Sequence, residues 1–316
     1  MAGYLVGEVS GETWEGYVRR RILEPLEMGA TSFSLEIKDS GDYSLPYMFI
    51  DGKATELPLR KKDVSGPSGG MNSNVEDMAK WLIFHLGQGK FGDRQLVSDE
   101  NLAVTHSPQM PVGYTPGSAT GPLHDYGMGW NIQPYQGHHL IHHGGWIEGY
   151  VSWISFMPFD GLGVVVLCNM TDCVLPYFLH YVIYNRLLGL EKIDWKRIID
   201  NYTPQYFNRF YHVKRTSKSD PAELPLPLEE YAGSYDHPVY GRLEVAIQDN
   251  ALHALFNGER IELIQRPDGD FLTDHISELF GGNKVSFILS DSDKIEKLEL
   301  AFRQGGGKIV FSRLSE

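Results

Sequence analysis

The sequence changes texture once, and that change limits the folds open to it. Up to about residue 190, helical patterns alternate with strand-like runs; from Leu228 onward, short strands are broken at regular intervals by turns. Residues 191–221 between them are rich in charge and aromatics, and Leu224-Pro225-Leu226-Pro227 has the stiffness of a short extended linker. At 316 residues the chain is long for one compact unit and comfortable for two. The expectation is an α+β domain over residues 1–190, an antiparallel sheet packed with helices. A linker over 191–227 and a small antiparallel β-barrel over 228–316 follow it.

Within the first part, residues 3–23 read as two short helices, the second opened by Thr13 and closed by Pro25. The clearest helix spans residues 74–86. Ser73-Asn74-Val75-Glu76 reads as a capping box, and Val75, Met78, Ala79, Leu82, Ile83 and Leu86 follow at the spacing of one apolar stripe. Strand signals at 126–133, 139–143, 150–157 and 163–168 have hairpin spacing, which predicts an antiparallel meander. A helix over 174–188 follows, with Asp172 as its expected N-cap, Pro176 in its first turn and Gly189 as its stop. In the last part, strand signals at 241–247, 251–256, 262–264, 284–289 and 297–300 are separated by turn residues.

Composition removes several partners. With 28 Lys+Arg against 41 Asp+Glu and no basic stripe, nucleic acid is not an expected partner. No run of 18 apolar residues exists, so no membrane span is expected. The first eight residues lack the basic and apolar regions of a signal peptide. Cys168 and Cys173, the only cysteines, match neither a zinc signature nor a disulfide framework and read as free buried thiols. Asn169-Met170-Thr171 and Asn201-Tyr202-Thr203 fit the glycosylation pattern and lean the localisation towards secretion.

Three segments, in order, resemble one family. Pro67-Ser68-Gly69-Gly70-Met71-Asn72-Ser73 with Asp77-Met78-Ala79 looks like the "P-x-G-G-x-x-S-x-x-x-D-x-A" segment of serine β-lactamase-like hydrolases. That group includes class C β-lactamases, penicillin-binding proteins, esterases and D-aminopeptidases. Residues 22–33, with Pro25-Leu26-Glu27-Met28 and Thr31, resemble its "P-L-G-M-x-x-T" stretch, Glu27 standing where glycine is usual. His143-Gly144-Gly145-Trp146-Ile147-Glu148-Gly149-Tyr150 is similar to its third active-site motif. Beyond Leu228, Glu230-Tyr231-Ala232-Gly233-Ser234-Tyr235 resembles the small lipocalin-like domain attached to some of these hydrolases.

The resemblance implies acyl transfer through a serine ester: a Ser-x-x-Lys pair supplies nucleophile and base, and a Tyr-x-Asn loop helps to shuttle the proton. It places His143 at the basic position of the third motif, Gly145 where substrate backbone approaches, and the Trp146 N–H as one oxyanion donor. It also places both other motifs upstream of the helix that begins at Ala2, and Ser-x-x-Lys is absent before Pro67. The expectation is therefore a truncated, inactive hydrolase-like chain with a small acyl or peptide ligand in a residual cleft. Exposed sheet edges would favour self-association or a covering N-terminal segment. The alternatives are a secreted, non-catalytic matrix component, as in mollusc shell, or an active hydrolase completed by an N-terminal segment. No cofactor is expected, and no metal. The run His138, His139, His142, His143 divides between two strand faces without a carboxylate at ligand spacing. Trp153 reads as core. Asp268-Gly269-Asp270 and Asp291-Ser292-Asp293 read as hairpin turns rather than calcium loops.

Overall fold

In the computed structural model, residues 1–33, 41–50, 52–59, 66–114, 123–171, 173–191, 193–201, 224–256, 258–266, 268–273, 283–301 and 307–314 are described. The chain divides into two compact units, Met1–Gln205 and Tyr206–Glu316. The first opens with α1 (Ala2–Ser10) and α2 (Trp14–Val18), the latter running into a π-helical turn at Arg19–Leu23. Thr13 caps α2, its hydroxyl accepting from the Gly16 N–H at 3.0 Å. Then come β1 (Ser32–Phe33), the hairpin β2 (Tyr47–Ile50) and β3 (Lys53–Glu56), α3 (Gly66–Gly69), β4 (Met71–Asn72) and α4 (Val75–Leu86). The hairpin β5 (Lys90–Phe91) and β6 (Arg94–Gln95) and helix α5 (Asp99–Thr105) lead into the main sheet.

That sheet is the expected antiparallel meander. Its strands are β7 (Met110–Tyr114), β8 (Leu123–Tyr126), β9 (Asn131–Tyr135), β10 (His138–Ile147), β11 (Tyr150–Met157) and β12 (Leu162–Cys168), adjacent in chain order. The run expected as one strand over 126–133 is two, because Gly127 and Gly129 turn the chain between β8 and β9. Helices cover both faces. Leu82 of α4 packs with Ile141 and Phe156, which are paired across β10 and β11. The next pair along, His142 and Ser155, points the other way, to α6 (Leu175–Leu188), where Tyr184 meets the Ser155 hydroxyl.

Several sequence expectations shift by a residue or a face. Asn74, not Ser73, caps α4: its side-chain oxygen accepts from the Asp77 N–H at 2.9 Å. The Ser73 hydroxyl is instead engaged with Thr31. Val75 and Ile83 are more than half exposed, and α4 buries Leu82, Phe84 and His85. The reason is that α4 lies between two clusters, one around Phe84 and one around Leu82, so its buried surface is not a single stripe. Helix α6 begins after Val174, which offers no side-chain cap, and Gly189 closes it in the left-handed conformation. Asp172 lies outside the described residues. Cys168 and Cys173 form no disulfide, and both are partly exposed rather than buried. No helix among the described residues is long and apolar enough to cross a membrane.

The second unit is a closed eight-stranded antiparallel barrel. Its strands are β13 (Gly233–His237), β14 (Gly241–Gln248), β15 (Ala251–Phe256), β16 (Glu259–Gln265), β17 (Phe271–Thr273), β18 (Lys284–Leu289), β19 (Ile295–Ala301) and β20 (Lys308–Arg313). Pairing of β13 with β20, Tyr235 opposite Arg313, closes it and removes the sheet edges. Its interior is filled by side chains, among them Leu252, Phe256, Phe271, Leu298 and Phe311. Among the described residues the void between these side chains is about 10 Å³, the room of roughly one water-sized sphere. Leu224 and Leu226 of the proline-rich stretch pack against this core. Asp270 pairs with Lys284 beside the turn at 268–269, and Asp293 adopts positive φ in the turn between β18 and β19.

Candidate active site on strand β10

The three segments that resemble the hydrolase family meet in the first unit through specific packing. Asp77, 2% exposed, holds two of them together: its carboxylate accepts from the Ala30 N–H and the Thr31 hydroxyl, both at 2.9 Å, and pairs with Lys80 at 3.1 Å. These residues therefore fasten the turn after Leu26 to the start of α4 and have no open face for chemistry. Glu27, in the glycine position, takes φ 59, a conformation glycine adopts without strain. Gly3 of α1 lies so close to the Pro67 ring that a methyl group would collide with it, and Gly69 of α3 lies against Ile147 at the end of β10.

Strand β10 itself has two halves. The tight turn at Gln136 and Gly137, both with positive φ, makes Tyr135 and His138 the closing pair of the β9–β10 hairpin. Even-numbered residues of β10 thus direct their backbone N–H and C=O groups towards β9. Strand β9 ends opposite His142, and among the described residues no strand pairs with residues 143–147 on that side. The same parity aims the backbone groups of Gly144 and Trp146 towards this side, while β11 pairs along the other side from Ile141 to Ile147.

The motif residues sit along that stretch. His143 has both ring nitrogens engaged: Nδ1 lies 2.7 Å from the Gly144 carbonyl, and Nε2 lies 3.1 Å from the Tyr126 hydroxyl. A side chain at Gly144 would strike the Trp153 ring, and one at Gly145 would meet the Ser152 hydroxyl. Trp146 is 38% exposed. The turn that follows is strapped down from three directions. Gly149, at φ 83, packs against Pro46, its N–H donates to the Thr171 hydroxyl, and the Tyr150 hydroxyl donates to the Ser44 carbonyl at 2.6 Å. Asn169 donates its amide to the Leu45 carbonyl at 3.0 Å, so this glycosylation triplet is part of the strap, and its threonine is buried. The second triplet lies largely outside the described residues.

The other histidines of the run serve packing and a separate hydrogen bond to a carboxylate. His138 meets Asp160 at 2.9 Å, a carboxylate 22 residues further on that local spacing did not reveal. His142 is buried against the Trp153 ring (centroids 5.2 Å), which also meets Tyr177 (4.9 Å) and His180 (5.4 Å) of α6. Burial first, then His143 and His124 nearby, push His142 down to about 3. Trp153 accordingly belongs to this packed layer. On the opposite face, His85 Nδ1 and His106 Nε2 lie 2.8 Å apart, and burial holds them at about 3 and about 4. Among the described residues no group of three or more metal-ligating side chains comes together. Tyr126 is the member of the site that the sequence reading missed; its position beside β9, in the run Tyr126-Gly127-Met128-Gly129-Trp130, was the available signal.

The family model described as Beta-lactamase matches residues 1–172, more than half of the chain. The chain belongs to the Beta-lactamase family. Residues 217–313 match a second family, described as Domain of unknown function (DUF3471). Among curated proteins, Unguisins hydrolase ungD' of Aspergillus campestris is 27% identical over 264 residues, covering 78% of this chain and 47% of that protein. Protein flp of Staphylococcus aureus strain N315 is 24% identical over 214 residues, covering 65% of this chain and 39% of that protein. The chain thus spans about half or less of the length of the curated relatives it matches. The octameric penicillin-binding protein homologue from Pyrococcus abyssi shares the fold with a TM-score of 0.52 and 22% identity, over 98% of this chain and 62% of that one.

Proposed function

We propose that this β-lactamase-family chain forms the substrate-binding wall of an acyl-transfer site. The observation that carries the reading is the backbone direction of β10 beyond the end of β9: the groups of Gly144 and Trp146 are aimed away from β11, beside His143, on a side where no strand among the described residues pairs with 143–147. An extended acyl or peptide ligand adds to a strand edge through main-chain hydrogen bonds. In this reading Gly145 leaves the sheet face beside the edge free of a side chain, the Trp146 N–H stabilises oxygen charge in the tetrahedral intermediate, and His143 supplies the polar group beside it. Ser-x-x-Lys occurs nowhere in the sequence, so the chain as given performs no acyl transfer by itself.

Two measurements test the two halves of the proposal. Incubation with a fluorescent penicillin or a p-nitrophenyl ester is expected to leave no covalent adduct; labelling at any serine overturns the claim of inactivity. Titration with an N-acetyl dipeptide amide is expected to shift the backbone amides of residues 144–147, and shifts confined to other residues overturn the binding wall. A second reading draws on the relatives. The chain matches about half of two proteins named as hydrolases, and alongside a segment carrying Ser-x-x-Lys the same wall would serve an active enzyme. Acyl-enzyme formation by a longer chain with that segment, lost on Gly145→Val, is the outcome that reading requires.

A further inference from the structure

We infer that Tyr126 is a positioning residue for His143, fixing the aim of a ring whose tautomer the Gly144 carbonyl sets; the functional meaning of this rests on the reading of β10 as the acyl-binding wall. The argument begins with a carbonyl. The Gly144 oxygen, 2.7 Å from Nδ1, only accepts hydrogen bonds, so Nδ1 carries a proton. In the neutral ring Nε2 is then left with its lone pair, and the Tyr126 hydroxyl at 3.1 Å donates to it. When the ring is protonated, Nε2–H donates and the same phenolic oxygen accepts. A hydroxyl serves both states, which neither a carbonyl nor an ammonium does.

The geometry makes Tyr126 the anchor that strand pairing does not supply. His143 is the first residue of β10 beyond the end of β9, so on that side the ladder no longer defines its surroundings. Tyr126 ends β8, pairing with Asn131, itself opposite His142. The rings of Tyr126 and His143 meet edge to face, with centroids 6.0 Å apart. A rigid three-strand neighbourhood thus holds the hydroxyl at the step where β10 runs past the end of β9. The contact joins two residues 17 positions apart and gives the polar side chain of the site a single orientation.

The test is long-range ¹H–¹⁵N correlation of the histidine rings in the full chain. The wild-type chain, with the ring neutral, is expected to show the Nδ1–H tautomer with an Nε2 resonance displaced by an accepted hydrogen bond. In Tyr126→Phe the Nε2 resonance is expected to move towards the value of a free lone pair, while the ring of His138, held by Asp160, stays in place. Growth with 3-fluorotyrosine keeps the aromatic ring, acidifies the phenol and moves Nε2 in the opposite sense, which covers the case of a poorly folding Tyr126→Phe chain. An Nε2–H tautomer in the wild type, or an Nε2 shift indifferent to both changes, overturns the inference. If the ring responds to Tyr126 while the acyl dipeptide leaves residues 144–147 unmoved, the binding-wall reading fails and the positioning stands. The converse result has the opposite meaning.

Discussion

The two units bury different kinds of side chain. The barrel is closed by strand pairing and filled chiefly by aliphatic and aromatic groups, its few buried polar groups tied locally: the Tyr235 hydroxyl donates to the Tyr231 carbonyl, and the Thr273 hydroxyl accepts from the Asn283 N–H. The first unit buries Asp77, His85, His142 and His180 among its apolar residues, and among the described strands β9 pairs with only the first half of β10. A closed barrel satisfies its backbone by topology alone, so its interior is free to be apolar. An open sheet covered by helices and shaped for a site needs side-chain networks to fix its irregular segments, and each buried polar group adds a liability. All six tryptophans precede residue 205, so tryptophan emission follows the first unit, and far-UV circular dichroism follows both.

The largest effect expected is in the barrel. Phe311 is fully buried against Phe256 and His237, and Phe311→Ala is expected to cost about 3–5 kcal/mol by leaving a cavity. The circular dichroism midpoint in urea should fall while the tryptophan midpoint holds; both falling together would break the comparison. The reverse experiment is Asp77→Ala, which strands the Ala30 N–H and the Thr31 hydroxyl and is expected to cost about 3 kcal/mol. Here the tryptophan midpoint should move, and an unchanged value would show that the Asp77 network does not hold the first unit together.

Buried histidines sharpen the contrast through pH. His85, His106 and His142 are held at about 3 to 4 in the folded chain, chiefly by burial, against an ordinary value near 6.5. The unfolded chain therefore binds more protons as pH falls below about 6.5, and the first unit loses stability from there towards pH 4. Each such histidine contributes a slope of at most about 1.4 kcal/mol per pH unit. The tryptophan midpoint in urea is expected to drop on acidification from pH 7 to 5, and less steeply in His142→Gln. A midpoint flat over that range would mean that these rings are already solvated.

The contrast also explains what was legible in the sequence. Turn residues and alternation announced a barrel, yet β13, β17 and β20 were missed, since Gly233-Ser234-Tyr235-Asp236-His237 reads as polar and β17 has three residues. Closure rests on these strands, and closure is a long-range property. In the first unit the motif on β10 was legible as residues, but the extent of its pairing depends on where β9 stops. Ser73 and Asn74 are adjacent and both suitable caps; the choice was made by Thr31, 42 residues away from Ser73, which engages its hydroxyl. The His138–Asp160 pair and the Tyr126–His143 contact likewise join separate strands or turns of the meander, where local periodicity carries no signal.

The smallest effect isolates backbone strain from all these networks. Glu27 sits at φ 59 between Leu26 and Met28, both buried, while its own side chain is exposed and no closer than 4.0 Å to Arg94. An ion pair so exposed and so long is worth little. A left-handed conformation costs a residue with a Cβ roughly 1–2 kcal/mol, and glycine gives back roughly 0.5–1 kcal/mol of this through the greater freedom of its unfolded chain. Glu27→Gly is therefore expected to stabilise the first unit by about 0.5 kcal/mol, read as a higher tryptophan midpoint in urea with the slope unchanged. The Lys80 ammonium bonds to the Glu27 carbonyl, a backbone group that the substitution keeps. Loss of stability in this variant would mean that the Glu27 side chain holds the turn, and the resemblance of this segment to a glycine-bearing pattern would then be one of sequence position without the same backbone cause.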